Sequence, residues 1–272
     1  MSDPFNPVIQ KLGDVLTTEE NILANEQEVW KRINQQRGPT IAVINASTVV
    51  TDADAAKVTA ALQIQVSRDL YPAWGFDAKL LFIPKGAVAP SGSWQVAILD
   101  DSPQADILGF HDWSKDGLPL AKVFAKTDID AGSPWSISAS HEIAEMGADP
   151  DISRCVFREQ FGQIVALENS DAPESDQYAY LINGVMVSDF VFPSWFEDFW
   201  SPGQTQFDYG KHIDRPFQLL PGGYIGVFDI KGSGGWTQLT HNRESNRKSR
   251  APIGSRRERR RTPRDQWQRS SI

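Results

Sequence analysis

His141, Glu142 and Glu145 place three ionisable side chains within five residues, in the order His-Glu-Ile-Ala-Glu. On a helix, residues four apart project from the same face one turn apart, so His141 and Glu145 offer a nitrogen and a carboxylate to one point. Glu142 lies about 100° round the axis and reaches the same cleft from its side. In the H-E-x-x-H arrangement the outer residues bind zinc, while the inner glutamate takes a proton from the water that the metal polarises. Here a carboxylate replaces the second imidazole and the helical geometry is kept. The expected roles are metal ligation by His141 and Glu145, with Glu142 as general base.

The flanking residues point the same way. Trp135-Ser136-Ile137-Ser138-Ala139-Ser140 is a run of small, weakly polar residues that suits a buried helix. Glu142, Glu145 and Asp149 then follow closely. Buried like charges repel unless a cation or protons neutralise them, and a divalent ion would do so. A His/Glu/Glu ligand set is harder than His/His/Glu. It should hold zinc but discriminate less against manganese or iron. Its extra negative charge should also leave the polarised water less acidic.

The elements that must position this helix alternate. Thr40 to Ala46 reads as a buried strand, and Thr51-Asp52-Ala53-Asp54 opens a helix running to about Leu70. Strands follow at Lys79–Pro84, Trp94–Leu99, Ile107–His111 and Ala121–Ala125. Pro134 fits the first turn of the helix carrying His141, and Pro150 marks its far end. Beyond Asp151 the pattern turns to short β segments: Gln163–Glu168, Tyr178–Ile182, Val185–Phe192 and a glycine-rich hairpin over Tyr224–Leu239. The expected class is α+β, a mixed twisted sheet with packed helices followed by a β-rich half. Residues 1–38 read as a helical lead-in with a capping box at Thr17-Thr18-Glu19-Glu20. Residues 39–240 form the metal-binding domain, divided at 150/151, and residues 241–272 a disordered arginine-rich tail.

The order of elements before His141 resembles the N-terminal half of zincin metallopeptidases, in which the active-site helix follows a mixed sheet. The stretches SASHEIAEMGADPD (138–151), VSDFVFPSWF (187–196) and RPFQLLPGGYIGVFD (215–229) are similar to an H-E-x-x-E family of uncharacterised bacterial and phage-associated proteins, over roughly residues 40–240. The resemblance implies a zincin-like fold and a third acidic ligand downstream of the helix. Glu168, in Ala166-Leu167-Glu168-Asn169-Ser170-Asp171, is the favoured candidate, and Asp151, ten residues after His141, is the alternative. Asp149 and Asp171 would then orient the ligands.

Other polar residues have weaker claims. His111 follows a strand and could line the cleft as a substrate contact. His212 and Tyr224 are candidates for stabilising an oxyanion. Phe190, Phe192, Trp195, Phe196, Phe199 and Trp200 read as core packing between the β-rich half and the sheet, with a substrate groove as the minority reading. Gly232-Ser233-Gly234-Gly235 lacks the strand-to-helix context of a phosphate loop. The lone Cys155 excludes an internal disulfide and sits in no nucleophile motif, so it reads as a buried bystander.

Charge divides the chain unevenly. The chain carries −8 overall, residues 241–272 carry +8, and residues 1–240 therefore carry −16. An acidic body argues against a nucleic-acid-binding face on the folded part, and leaves only the tail from 243 to 272 for such contacts. No signal-peptide pattern and no long apolar run is present, so the default expectation is a cytoplasmic protein without a membrane span, a virion-associated or released form being the other possibility. The function these readings favour is a zinc-dependent hydrolase of peptidase type acting on a peptide or protein. The alternative is a catalytically inactive, zincin-like structural or interaction protein in which the ion braces the fold.

Overall fold

In a computed structural model of the chain, residues 38–102, 108–232 and 236–241 are described. The expected N-terminal helix and the basic tail from 242 onward lie outside the described residues. All the described residues belong to one compact unit that begins at Gly38.

Five strands form a mixed sheet: β1 (Thr40–Asn45), β2 (Lys79–Ile83), β3 (Trp94–Leu99), β4 (Gly109–Trp113) and β5 (Pro119–Phe124). Their order is β2-β1-β3-β5-β4. The β2-β1-β3-β5 pairings are parallel, and β4 closes one edge antiparallel to β5. Parallel strands covered on their faces are apolar throughout. Accordingly Ile41, Ala42 and Val43 in β1 are wholly buried. The fold is thus α+β with a mixed sheet, as the alternation predicts.

One face of the sheet carries Val43, Val96 and Ala121 in lateral register, followed by Ile98 and Val123. These join two helices in a single apolar core. Helix α1 (Asp52–Ile64) starts on Thr51, whose side chain accepts from the Asp54 amide. It continues to Leu70 as expected, but Gln65–Leu70 is wound as a π-helix before a short α2 (Tyr71–Trp74). The widening precedes Pro72, whose ring would meet the Arg68 carbonyl in a regular α-helix. Gly75 then ends the helix in a left-handed conformation, φ 67°. Helix α3 (Ala125–Asp130) was not legible in the sequence; it begins where strand β5 was expected to end.

Helix α4 (Trp135–Ala148) carries the His-Glu-x-x-Glu residues and packs on β5, β4 and the hairpin described next. Every residue in it except Gly147 is buried. The small polar residues of its first half explain how. Ser136 Oγ donates to the Met186 carbonyl, and Ser140 Oγ accepts from the Ser188 amide at 2.6 Å.

The second half is β-rich, as expected. Strands β6 (Cys155–Arg158), β7 (Gln163–Ala166), β10 (Tyr224–Asp229) and β11 (Trp236–Thr240) form an antiparallel sheet ordered β11-β10-β7-β6. Strands β8 (Tyr180–Ile182) and β9 (Val185–Val187) form a hairpin turned by Asn183-Gly184, both at positive φ. The long β segment expected to reach Phe192 stops at Val187 because Asp189 Oδ1 takes the Phe190 and Gly210 amides out of any ladder. The aromatic cluster divides. Phe190 joins the first core, Trp195 and Phe196 a second core with Val165, Phe207 and Val227, and Phe199 stays 76% exposed. Cys155 is exposed rather than buried, since it opens the edge strand β6.

Candidate metal centre

Three elements converge on one buried polar group. Helix α4 supplies His141, Glu142 and Glu145; edge strand β4 supplies His111; the loop after β7 supplies Glu168 and Asp171. All six are buried. The loop is fixed from several sides: Leu167 N–H donates to the Arg154 carbonyl, Val191 N–H to Asn169, and Tyr224 N–H to Asp171. Ser170 Oγ lies 3.5 Å from the His141 carbonyl, which ties the loop to the helix. Strand β4 comes close because it begins with glycine: a β-carbon on Gly109 would stand 2.7 Å from Glu142 Oε1.

His141 Nε2 lies 3.2 Å from Glu145 Oε1 and 3.4 Å from Asp171 Oδ1. His111 Nδ1 lies 3.3 Å from Glu145 Oε2 and 3.4 Å from Glu142 Oε2. Its Nε2 is 3.7 Å from Glu168 Oε2. Charge-assisted N–H···O bonds are about 2.7–2.9 Å long. Ligand atoms around a tetrahedral ion with bonds near 2.0–2.1 Å stand about 3.3 Å apart. The four shorter separations match the edge of a coordination polyhedron better than a direct ion pair. Glu142 Oε2 and Glu145 Oε1 are buried and have no hydrogen bond. The donor types, the spacing and these two oxygens fit a divalent cation. Buried His/Glu/Asp groups able to hold a metal ion are therefore present: His141/Glu145/Asp171 and His111/Glu142/Glu145.

Electrostatics strains the same atoms. Burial opposes a charged His141, but the neighbouring carboxylates of Glu145 and Asp171 outweigh it and hold the imidazole well above its ordinary range. Burial also opposes charge on Glu145, where the two imidazoles prevail and hold the carboxyl well below its ordinary range. Asp171 is driven well up by burial and by Glu145. Tyr224 is driven up by burial and by Asp171, which its hydroxyl faces.

The structure brings His141, Glu142, Glu145, Glu168 and Asp171 together, and adds His111. Asp171, expected to orient a ligand, is itself within ligand distance of His141, whereas Glu168 approaches His111. Asp151 is exposed on the turn after α4 and joins neither group. Asp149 is buried, but its Oδ1 accepts the Ser153 and Arg154 amides and so shapes the helix end. Tyr224 reaches the centre through Asp171. His212 instead belongs to a separate group with Asp189 and Asp208, its Nδ1 3.5 Å from an oxygen of each. In sequence His111 stands out only as a possible substrate contact. Its strand position was legible, but the antiparallel edge pairing that brings β4 over α4 was not.

Comparisons with models of protein families, with curated proteins and with solved structures found no match. Among the described residues, no helix is long and apolar enough to cross a membrane.

Proposed function

We propose that this chain is a metal-dependent hydrolase of peptidase type, acting on a peptide or protein substrate. The observation that carries the reading is the pairing of a ligand-spaced group, His141, Glu145 and Asp171, with a neighbouring buried carboxylate, Glu142, whose Oε2 no hydrogen bond holds. The mixed sheet followed by the ligand-bearing helix is in keeping with the resemblance to zincins.

His141, Glu145 and Asp171 would hold the ion. Their nitrogen and carboxylate donors suit zinc, with manganese or iron as competitors. When bound, the ion would supply Lewis acidity toward a carbonyl oxygen and toward water. Glu142 accepts the proton of the attacking water at Oε2 and returns it to the departing amine. Gly109 in β4, having no β-carbon, leaves room for the other oxygen of that carboxyl. The Ser170 contact with the His141 carbonyl and the hydrogen bond from Tyr224 N–H to the Asp171 carbonyl keep helix and loop in register.

The test pairs two variants against a peptide library. Glu142→Gln should retain the ion and lose hydrolysis by about 10²-fold or more, and His141→Ala should lose both. Full hydrolysis by Glu142→Gln would remove it from the mechanism. Stoichiometric metal with no cleavage of any peptide would assign the ion a bracing role instead.

A further inference from the structure

Glu145 faces two imidazoles with two different oxygens. Its Oε1 addresses His141 and its Oε2 addresses His111, at 3.2 and 3.3 Å. The two ligand-spaced groups share this one residue and no other. A carboxylate that presents one oxygen to each of two nitrogen donors has the form of a bridge between two cations.

Charge supports the same reading. Glu142, Glu145, Glu168 and Asp171 bring four carboxyl groups into one buried volume with two imidazoles. With all four ionised and both imidazoles neutral, as metal ligation requires, they carry −4; one divalent cation leaves −2 uncompensated, and two leave none. Isolated charge in a low-dielectric interior is costly, so the second cation relieves a penalty that the first does not. Glu142 adds an independent observation. It is 5% exposed, and its Oε2 lies 3.4 Å from His111 Nδ1 without a hydrogen bond.

We propose that the chain binds a second divalent cation of the zinc type between His111 Nδ1, Glu142 Oε2 and Glu145 Oε2, with Glu145 bridging it to the first. The proposal rests on the first ion being held by His141, Glu145 and Asp171. It has a functional consequence, because Glu142 Oε2 cannot both hold an ion and accept a proton from water. Filling the second position therefore shuts off hydrolysis, and free zinc acts as a brake on the enzyme. Two cations that share Glu145 repel each other, so the second equivalent of zinc binds more weakly than the first.

The test titrates the chelator-treated full chain with zinc alone, measures bound metal after dialysis and compares His111→Asn. The expected result is two tight ions in the wild type and one fewer in His111→Asn, with peptide hydrolysis by the wild type rising with the first equivalent and falling with the second. One ion in the wild type, or a second ion kept in full by His111→Asn, overturns the bridged pair and leaves the proposed hydrolase intact. No bound zinc at all overturns both. Metal content is read on folded protein, checked by circular dichroism, so a variant that fails to fold leaves the wild-type stoichiometry to decide.

Discussion

Gly109 and Glu142 share one gap between strand β4 and helix α4, where a β-carbon on the first would press on the carboxyl of the second at 2.7 Å. Gly109→Ala should therefore swing Glu142 away from His111 without opening the core. Misplacement of a reacting group by about 1 Å costs on the order of 10²-fold in rate. The expected outcome is a loss of that order in kcat, with the thermal midpoint little changed. Unaltered kcat would show that Glu142 does not depend on this approach.

Metal removal should cost stability as well as activity. With the four carboxyl groups left facing one another, only their protonation and the two imidazoles oppose the repulsion. An ion present at about a thousandfold excess over its Kd contributes about 4 kcal/mol. In a domain of this size that corresponds to a fall in Tm on the order of 10 °C after chelation. Calorimetry with and without chelator measures it, and an unchanged Tm would contradict the burial argument.

Gly147 offers a contest between helix propensity and packing. Alanine in a helix interior is favoured over glycine by about 1 kcal/mol. Its β-carbon here would lie 2.3 Å from Phe76 Cδ1, on a ring stacked against Trp94. Overpacking costs about 1–3 kcal/mol, so the clash should win and Gly147→Ala should destabilise in urea. Adding Phe76→Leu should recover part of the loss; no recovery would place the strain elsewhere.

Asp189 sets a pH dependence of its own. Burial, together with the negative charge of Asp208, raises its carboxyl from 3.8 to about 8. The other titratable group facing it is His212. Between pH 4 and 8 the unfolded chain has released this proton and the folded chain retains it, so stability falls as pH rises through that window and levels off above it. Asp189→Asn keeps the oxygen that accepts the Phe190 and Gly210 amides. Its Tm advantage over the wild type should grow from pH 4 to pH 8, reaching at least about 2–4 °C, equivalent to about 1 kcal/mol. A constant difference across that range would refute the assignment.

What the sequence revealed follows from the range of the interactions involved. The i,i+4 spacing of His141 and Glu145 is local, and so was legible, as were the alternating strands and the buried, serine-rich start of α4. The edge position of β4 was not, because strand order depends on pairings between segments far apart in the chain. In sequence His111 consequently has only the place of a possible substrate contact. Asp149 and Asp171 looked alike in sequence, yet one caps a helix end through two amides and the other faces His141. Only the path of the loop after β7 separates them. The Asp189–Asp208–His212 group had no periodic signature, since it arises where Val191 meets Asp208 in an isolated bridge.

Ser188 gives the architecture a fixed point. Its amide is held by Ser140 of α4, and its carbonyl accepts from Gln65 Nε2 in the π-wound turn after α1. One residue thus clasps both major helices at once. Any breathing that separates them must break a bond at Ser188. Slow hydrogen–deuterium exchange at the Ser188 amide would be the signature of that shared clasp.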